Sequence, residues 1–490
     1  MKKQFYFLCF LALGLVSTAE AQQKEALKNE AIKDLDGKYA DYKNIAMQIW
    51  NHAELGYKEV ESSKLHQKTL KDNGFTIQAG VADIPTAFVA TFGEGKPVIG
   101  ILAEYDALPG LSQAAEPVKK PIAGKAGGHG CGHHLFGTAS VASAIELKNL
   151  MVKNKLKGTI KLYGTPAEEG GSGKVYMVRA GLFDGVDVVI HWHPGATNEA
   201  NPSSALANIS AKFRFRGQSA HAAGAPDRGR SALDGVEAMD NMVNMMREHV
   251  PQESRIHYVI TEGGKAPNVV PDFAEVYYYA RHPRRDVVKD LFDRIVKCAN
   301  GAAMGTDTKV EYEIIGGTHE ILPVPVLAQA MHANLTKVGG VNYTAEEIAF
   351  GQKLQESFPA KNRPNIMDAS KIEPYKDESY RTGGGSTDVG DVSFAVPTVG
   401  LRTATWIPGT PAHSWQAVAC GGTDIGGKGM MVAAKTMTLM GLDLLMDKSL
   451  IDKATAEWKA ARGSDFKYAP LLGDRKPALN YRDSANGNSE

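Results

Sequence analysis

Charge of one sign is missing from this chain. Its 490 residues carry 55 Lys+Arg against 55 Asp+Glu, whereas an electrostatic nucleic-acid binder shows a basic excess or stripe. Nucleic acid is therefore not an expected partner. Cysteine is scarce too, at four residues. Cys9 falls in the leader described below, and the remaining Cys131, Cys298 and Cys420 are an odd number. That excludes a disulfide scaffold, which a chain this large does not need, and leaves at least one free thiol as a functional group or a bystander. Long hydrophobic runs are also lacking. The run Phe5–Val16 falls short of the roughly 20 residues that span a bilayer. No second stretch of spanning length is expected after it, so no membrane span is predicted. Internal repeats and low-complexity segments are absent.

What is present begins with a targeting segment. Lys2 and Lys3 precede the apolar run, and Ala19-Glu20-Ala21 supplies the small-x-small cleavage pattern. Residues 1–21 are read as a signal peptide cleaved after Ala21, giving an exported protein, periplasmic or secreted, and soluble. Cys9 lies inside the run rather than after it, which argues against a lipid anchor. The remaining length, at 43% hydrophobic residues, exceeds what one core serves, so two domains are expected. With 51 Gly and 23 Pro the chain has the many tight turns of an α/β enzyme.

Apolar spacing of three and four (Ile45, Ile49, Leu65) predicts helix over residues 24–75, up to the turn at Asn73-Gly74. Strands are expected at Thr86–Phe92, Val98–Glu104, Thr159–Tyr163 and Val186–His193, and helices at Leu135–Leu150 and Val175–Ala180. This alternation gives an α/β domain with a central mixed β-sheet flanked by helices. A different rhythm follows: strand Asn208–Arg216, amphipathic helix Ser231–Val250, strands Arg255–Thr261 and Phe273–Arg281, helix Arg285–Ala302, strand Lys309–Ile315. That order, βαββαβ, is the ferredoxin-like split motif. Helices at Val326–Lys337 and Gly429–Met446 return to the first domain. A catalytic domain of residues 22–205 and 319–466 with an inserted α+β domain of 206–318 is therefore predicted. Residues 340–385 carry a weak pattern and read as a long loop, with Gly-rich Arg381–Asp388 at its end. Residues 467–490 form a polar, Pro-containing tail.

The densest chemical pattern is Gly127-Gly-His129-Gly-Cys131-Gly-His133-His134. Glycines allow close backbone approach, Cys131 and His133 fall on one side of an extended segment, and thiol plus imidazole suits a borderline divalent metal such as zinc. A His-rich surface loop is the bland reading, but an exposed thiol in an oxidising compartment would be a liability. Glu168-Glu169 follow a strand, so one carboxylate can hold metal while its neighbour faces substrate; in open α/β sheets ligands bind beyond the strand carboxyl ends. A solvated acidic turn is the alternative. His191 and His193 share a strand face, so spacing leaves the choice between them open. His413, in Gly409-Thr-Pro-Ala-His413, would by itself be an ordinary turn residue. Asp106 either orients a ligating imidazole or caps the turn before Pro109.

Together these pieces resemble the dinuclear-metal aminoacylase/carboxypeptidase family, in the branch with hippurate and indole-acetyl-amino-acid hydrolases. The resemblance rests on Ala103-Glu-Tyr-Asp-Ala-Leu-Pro109, Gly128-His-Gly-Cys-Gly-His133, Pro166-Ala-Glu-Glu169 and Trp192-His-Pro194. Further motifs are Ser219-Ala-His221-Ala-Ala, Pro267-Asn-Val-Val-Pro271, Ser386-Thr-Asp-Val-Gly-Asp391 and Gly409-Thr-Pro-Ala-His413. They run in family order from about Tyr39 to Met446. The resemblance implies two divalent ions (Zn or Mn) bridged by the Cys131 thiolate, with His133, Glu169, one strand histidine and His413 as the other ligands. The hippurate-hydrolase pattern, with His three residues before Pro, matches His191. The aminobenzoyl-glutamate branch, with Trp-His-Pro, matches His193, which is the expected ligand. His134 departs from the Asp that follows Cys-Gly-His in many relatives.

The resemblance further implies Glu168 as general base and His221, reaching the other subunit of a homodimer, as oxyanion stabiliser. Asn268 and Arg281 would hold the substrate carboxylate, a task suited to Arg geometry; a strand-end salt bridge is the bland alternative for Arg281. The implied activity is hydrolysis of an N-acyl or N-aroyl amino acid, a glutamate conjugate being the nearest guess. Two other readings are weighed. A cysteine-nucleophile amidase using Cys131 and His133 leaves Glu168-Glu169 unexplained, and a nucleophile and its base normally come from separate segments. A non-catalytic accessory subunit is opposed by the complete set of ligand positions.

Overall fold

A computed structural model of the chain describes residues 22–377, 379 and 384–483. The expected signal peptide and Arg381-Thr382-Gly383 of the Gly-rich loop lie outside the described residues. The helical N-terminal region comprises α1 (residues 22–37), α2 (Tyr39–His52) and α3 (Val60–Asp72). Ala53, in the left-handed region at φ 46°, ends α2. The irregular segment that follows pairs Leu55 with Ala107 and brings Glu59 beneath the later site.

The chain then forms β1 (Thr76–Ala79), β2 (Phe88–Glu94), β3 (Val98–Ala103), a short ladder of β4 (Leu108–Pro109) and β5 (Gly127–Gly128), α4 (His133–Asn154), β6 (Gly158–Gly164), α5 (Gly173–Arg179), β7 (Val188–Ile190) and β8 (His193–Gly195). The large sheet has the order β1-β2-β6-β3-β7, completed by β13 (Thr398–Val399). Its first two pairings are antiparallel and the others parallel. β3 and β7 are almost continuously buried, as expected of parallel strands covered on both faces. The expected strand Val186–His193 is two elements. β7 stops at Ile190, and His193 opens β8, which pairs in parallel with β14 (Arg402–Ala404).

The inserted unit runs β9 (Ala207–Arg216), α6 (Ala232–Met246), β10 (Arg255–Glu262), β11 (Phe273–His282), α7 (Arg285–Gly305) and β12 (Lys309–Thr318). Its antiparallel sheet has the order β10-β11-β9-β12, the arrangement of a ferredoxin-like fold. Ser231 caps α6 by accepting from Asp234 N, and Val236, Met239, Val243 and Met246 of that helix are buried. They join Phe213, Leu291 and Ile295 in a core separate from that of the larger domain.

The larger domain resumes with α8 (Pro325–Val338) and α9 (Ala345–Gln355). The latter corrects the loop expected over 340–385. Thr344 and Glu347 form a capping box, and Leu354 is buried against Trp406 and Ile407, so a helix forms where apolar spacing is too sparse to show it. Then come α10 (Val389–Ala395), α11 (Trp415–Gly421), α12 (Asp424–Met446) and α13 (Lys448–Arg462). The expectation that no second stretch reaches spanning length is also corrected. By length and composition α12 qualifies, but 83% of its apolar window is buried in the protein, where it packs on α4 and α8. It is a core helix.

Candidate active site

Three strand ends converge on one place. β3 delivers Glu104 and Asp106 just past Ala103, and β6 delivers Glu168 and Glu169 past Gly164. The chain leaving β7 delivers His191 and His193. Ala167, at φ 57°, bends the chain so that the two glutamates enter the site. Its N–H donates to the buried Glu59 Oε1 at 2.8 Å. Gly132, at φ 80°, lets His133 start α4; a Cβ there would come within 2.9 Å of two Pro194 side-chain atoms, so only glycine permits the approach of the Cys131 loop to β8. His413, at φ 56°, hangs from its own N–H bond to Gly130 O.

Two ligand-like groups share one sulfur. Potential donor atoms of Cys131, His133 and His193 lie within 4.8 Å of one another, and so do those of Cys131, Glu169 and His413. Cys131 Sγ is 3.4 Å from His193 Nε2. His413 Nε2 is 3.1 Å from Glu169 Oε1, and His133 Nε2 is 3.1 Å from Glu104 Oε2. Yet His133 Nε2, Glu104 Oε2 and Glu169 Oε1 are buried without a hydrogen-bond partner. Buried polar atoms are rarely left so. One thiol, three imidazoles and a carboxylate around two foci, with donor atoms unsatisfied, fit a pair of borderline divalent ions.

The surroundings fix these groups. His133 Nδ1 bonds Asp106 Oδ1 at 2.8 Å, while Asp106 Oδ2 accepts from Glu169 N at 2.9 Å, so one carboxylate aligns both halves of the site. His193 Nδ1 bonds Pro194 O at 2.7 Å, turning Nε2 to Cys131. Burial pushes the Cys131 thiol well above its usual range, aided by Glu169 and opposed by His133. Burial, then the charges of Glu104, Glu169 and Asp388, raises Glu168 well above the carboxylate range. Burial lowers His193. His413 is raised, chiefly by its bond to Glu169.

Sequence reasoning missed a buried triad beneath the site. Lys174 Nζ is 2.6 Å from Glu104 Oε1 and 2.7 Å from Asp388 Oδ1, all three fully buried. It also missed Glu59, which burial and the nearby Asp106 raise to about 8. Nothing local marks these residues. Glu104 and Asp388 fall within two of the family motifs, but Lys174 stands in an unremarkable helix.

All five expected ligand positions and Glu168 are brought together. His191 is not in either group: its ring lies against Gly400, where a Cβ would be 2.3 Å from Nε2. His129 and His134 are buried and bonded to Ile49 O and Gly421 O. His221, Asn268 and Arg281 are not brought to the site. They lie on the inserted domain and do not line the cavity of about 320 Å³ that holds Cys131, Glu168, His193 and His413. His221 Nδ1 accepts from the N–H groups of Ala223 and Gly224 at 3.2 and 3.0 Å, so its Nε2 carries the proton and points outward. Arg281 makes no ion pair among the described residues; its guanidinium lies 5.2 Å from the Tyr279 ring centre.

Residues 207–307 match the peptidase dimerisation domain of the M20 family. Over 456 residues the chain is 39% identical to one of the two subunit types of the Escherichia coli p-aminobenzoyl-glutamate hydrolase, covering 88% of this chain and 94% of the relative. Over 459 residues it is 28% identical to the mouse Xaa-Arg dipeptidase, covering 90% and 94%. The fold is shared with a dinuclear metal-binding M20 peptidase of Bacillus subtilis (TM-score 0.57, 16% identity, 84% and 99% covered). It is shared equally with an aminobenzoyl-glutamate utilization protein of Klebsiella pneumoniae (TM-score 0.57, 19% identity, 85% and 98% covered).

Proposed function

From the premise that this chain belongs to the M20 peptidase family and is one of its metal-dependent amidohydrolases, we propose that it cleaves N-aroyl or N-acyl amino acids of the aminobenzoyl-glutamate type, releasing the amino acid. The observation that carries this reading is the shared Cys131 between two donor groups, with Glu168 beside them in one cavity. Cys131, His133 and His193 would hold one divalent ion, and Cys131, Glu169 and His413 the other, zinc and manganese both suiting the donors. When bound, such ions polarise the scissile carbonyl and make a water nucleophilic near neutral pH.

The remaining steps belong to the chain. Glu168 Oε takes the proton of the attacking water and returns it to the leaving amine nitrogen; a carboxyl held well above its usual range accepts that proton readily. His221, with Nε2–H fixed outward, donates to the developing oxyanion, and Asn268 and Arg281 hold the substrate carboxylate. Because these three stand apart from the cavity of their own chain, they serve the cavity of a second copy in a homodimer. The edge strand β10 offers a surface for pairing, with Val259 56% and Ile260 39% exposed. The N-terminal leader supports export. A Cys131 nucleophile is disfavoured, since reactive thiols have lowered pKa values and this one is raised by burial.

The test is turnover of p-aminobenzoyl-glutamate by the chain alone, with Mn²⁺ or Zn²⁺ and after chelation. Release of glutamate that chelator abolishes and metal restores is expected. Chelator-resistant activity blocked by a thiol reagent would overturn the assignment.

A further inference from the structure

The C-terminal tail, read from sequence as a polar appendage, returns through Asp483 to the site. It crosses both domains on the way. Leu472 is buried in the core of the larger domain, and Arg475 Nη1 donates to the carbonyls of Ile314 and Ile315 in β12 at 2.5 and 2.6 Å. The tail then ends on one atom, the carbonyl oxygen of Glu169. Tyr481 Oη donates to it at 2.9 Å and Arg482 Nη2 at 2.5 Å. The Tyr481 ring stands edge-on to Tyr57, centroids 5.6 Å apart, so the hydroxyl is aimed by packing.

We propose that Tyr481 and Arg482 are positioning residues for Glu169, setting its carboxylate toward the ion it shares with Cys131 and His413. The inference rests on the reading of Glu169 as a metal ligand. Its physical basis is the state of one residue's backbone. The Glu169 N–H is held by Asp106 Oδ2, and both lone pairs of the Glu169 carbonyl are taken by the tail. With both sides of the residue fixed, its side chain leaves the backbone in one direction, and Oε1 meets His413. Free the carbonyl and the Gly170-Gly171 turn that follows has nothing to hold it against rotation. Outer contacts of this kind are worth roughly 10–100-fold in metal affinity or activity.

The experiment is calorimetric titration of metal-stripped protein with Mn²⁺, comparing the full chain, a chain ending at Asn480, and the double variant Tyr481→Phe/Arg482→Gln, which keeps the ring packing. Arg475→Ala, which loosens the same tail on the inserted domain, is the control. In the two altered tails, one of two Mn²⁺ events should weaken by about tenfold or more while the other is kept. Arg475→Ala should keep both. Wild-type affinity for both ions in the double variant would overturn the inference, as would equal weakening of both sites or the same loss in Arg475→Ala, either of which marks a general brace. Fewer than two Mn²⁺ bound by the full chain would instead overturn the two-ion reading itself.

Discussion

Glu168 and Glu169 are neighbours with different surroundings, and the difference sets their roles. Glu169 faces His413 and shares a group with Cys131, whereas Glu168 falls near Glu104 and His133. Glu168→Ala should leave two ions bound and lower kcat by about 10²–10⁴-fold, the usual range for a general base; metal analysis and turnover on one preparation check it. The strand histidines give a second contrast. His193→Ala should lose metal, because its Nε2 faces the thiol, and His191→Ala should keep it. Metal content of the two purified variants reverses the assignment if the pattern is opposite. The ligand set was legible because each ligand sits in a short motif with an unusual neighbour pattern. The choice between His191 and His193 was not legible from periodicity, since alternation assumes a strand that continues, and β7 stops at Ile190. Lys174 was invisible for another reason: its partner Asp388 is 214 residues away, and pairing at that distance leaves no local trace.

Helix α10 carries an element-scale consequence. Its Asp391 is fully buried, accepting from His319 N and from Tyr468 Oη, which starts the tail. Burial raises its carboxyl from 3.8 to about 7. Between those values the folded chain keeps a proton that the unfolded chain has released, so stability falls as pH rises from about 4 to 7, by about 4 kcal/mol from this group. Above that window both states are ionised and the slope vanishes. Asp391→Asn, which mimics the protonated form, should flatten the decline of melting temperature across that range; an unchanged slope would place the effect elsewhere. Elements were read from sequence where one face is apolar, as in α6. They were missed where burial is complete or sparse: α12, apolar nearly all round, passed as an ordinary amphipathic return, and α9 is marked mainly by its capping box.

For the whole molecule, the separation of His221 from the cavity makes catalysis a question of two chains. Mixing Glu168→Ala with His221→Ala protomers should restore activity that neither has alone, because a mixed dimer contains one cavity with both groups intact. Activity no greater than the sum of the parents would assign His221 to its own chain. The two-domain architecture was legible from the change of rhythm near residue 206, since a βαββαβ order needs no long-range information. The path of the tail was not, because segments without periodicity reveal where they lie only through partners far away in sequence.

The junction between the domains has a mechanical consequence of its own. β9 and β12 stay paired to the very border, Asn208 against Thr318, and Ser204 Oγ still reaches Ile321 O at 2.6 Å beyond it. The inserted domain is thus carried on a two-stranded ribbon rather than a single thread. A ribbon flexes across its face and resists both shear in its plane and torsion about its length. With Arg475 pinned to β12 as a stay, the swing of this domain over the cavity is confined to a single direction. A pair of domains so mounted works as a door on a leaf hinge, and what it closes upon is decided by the direction of the leaf.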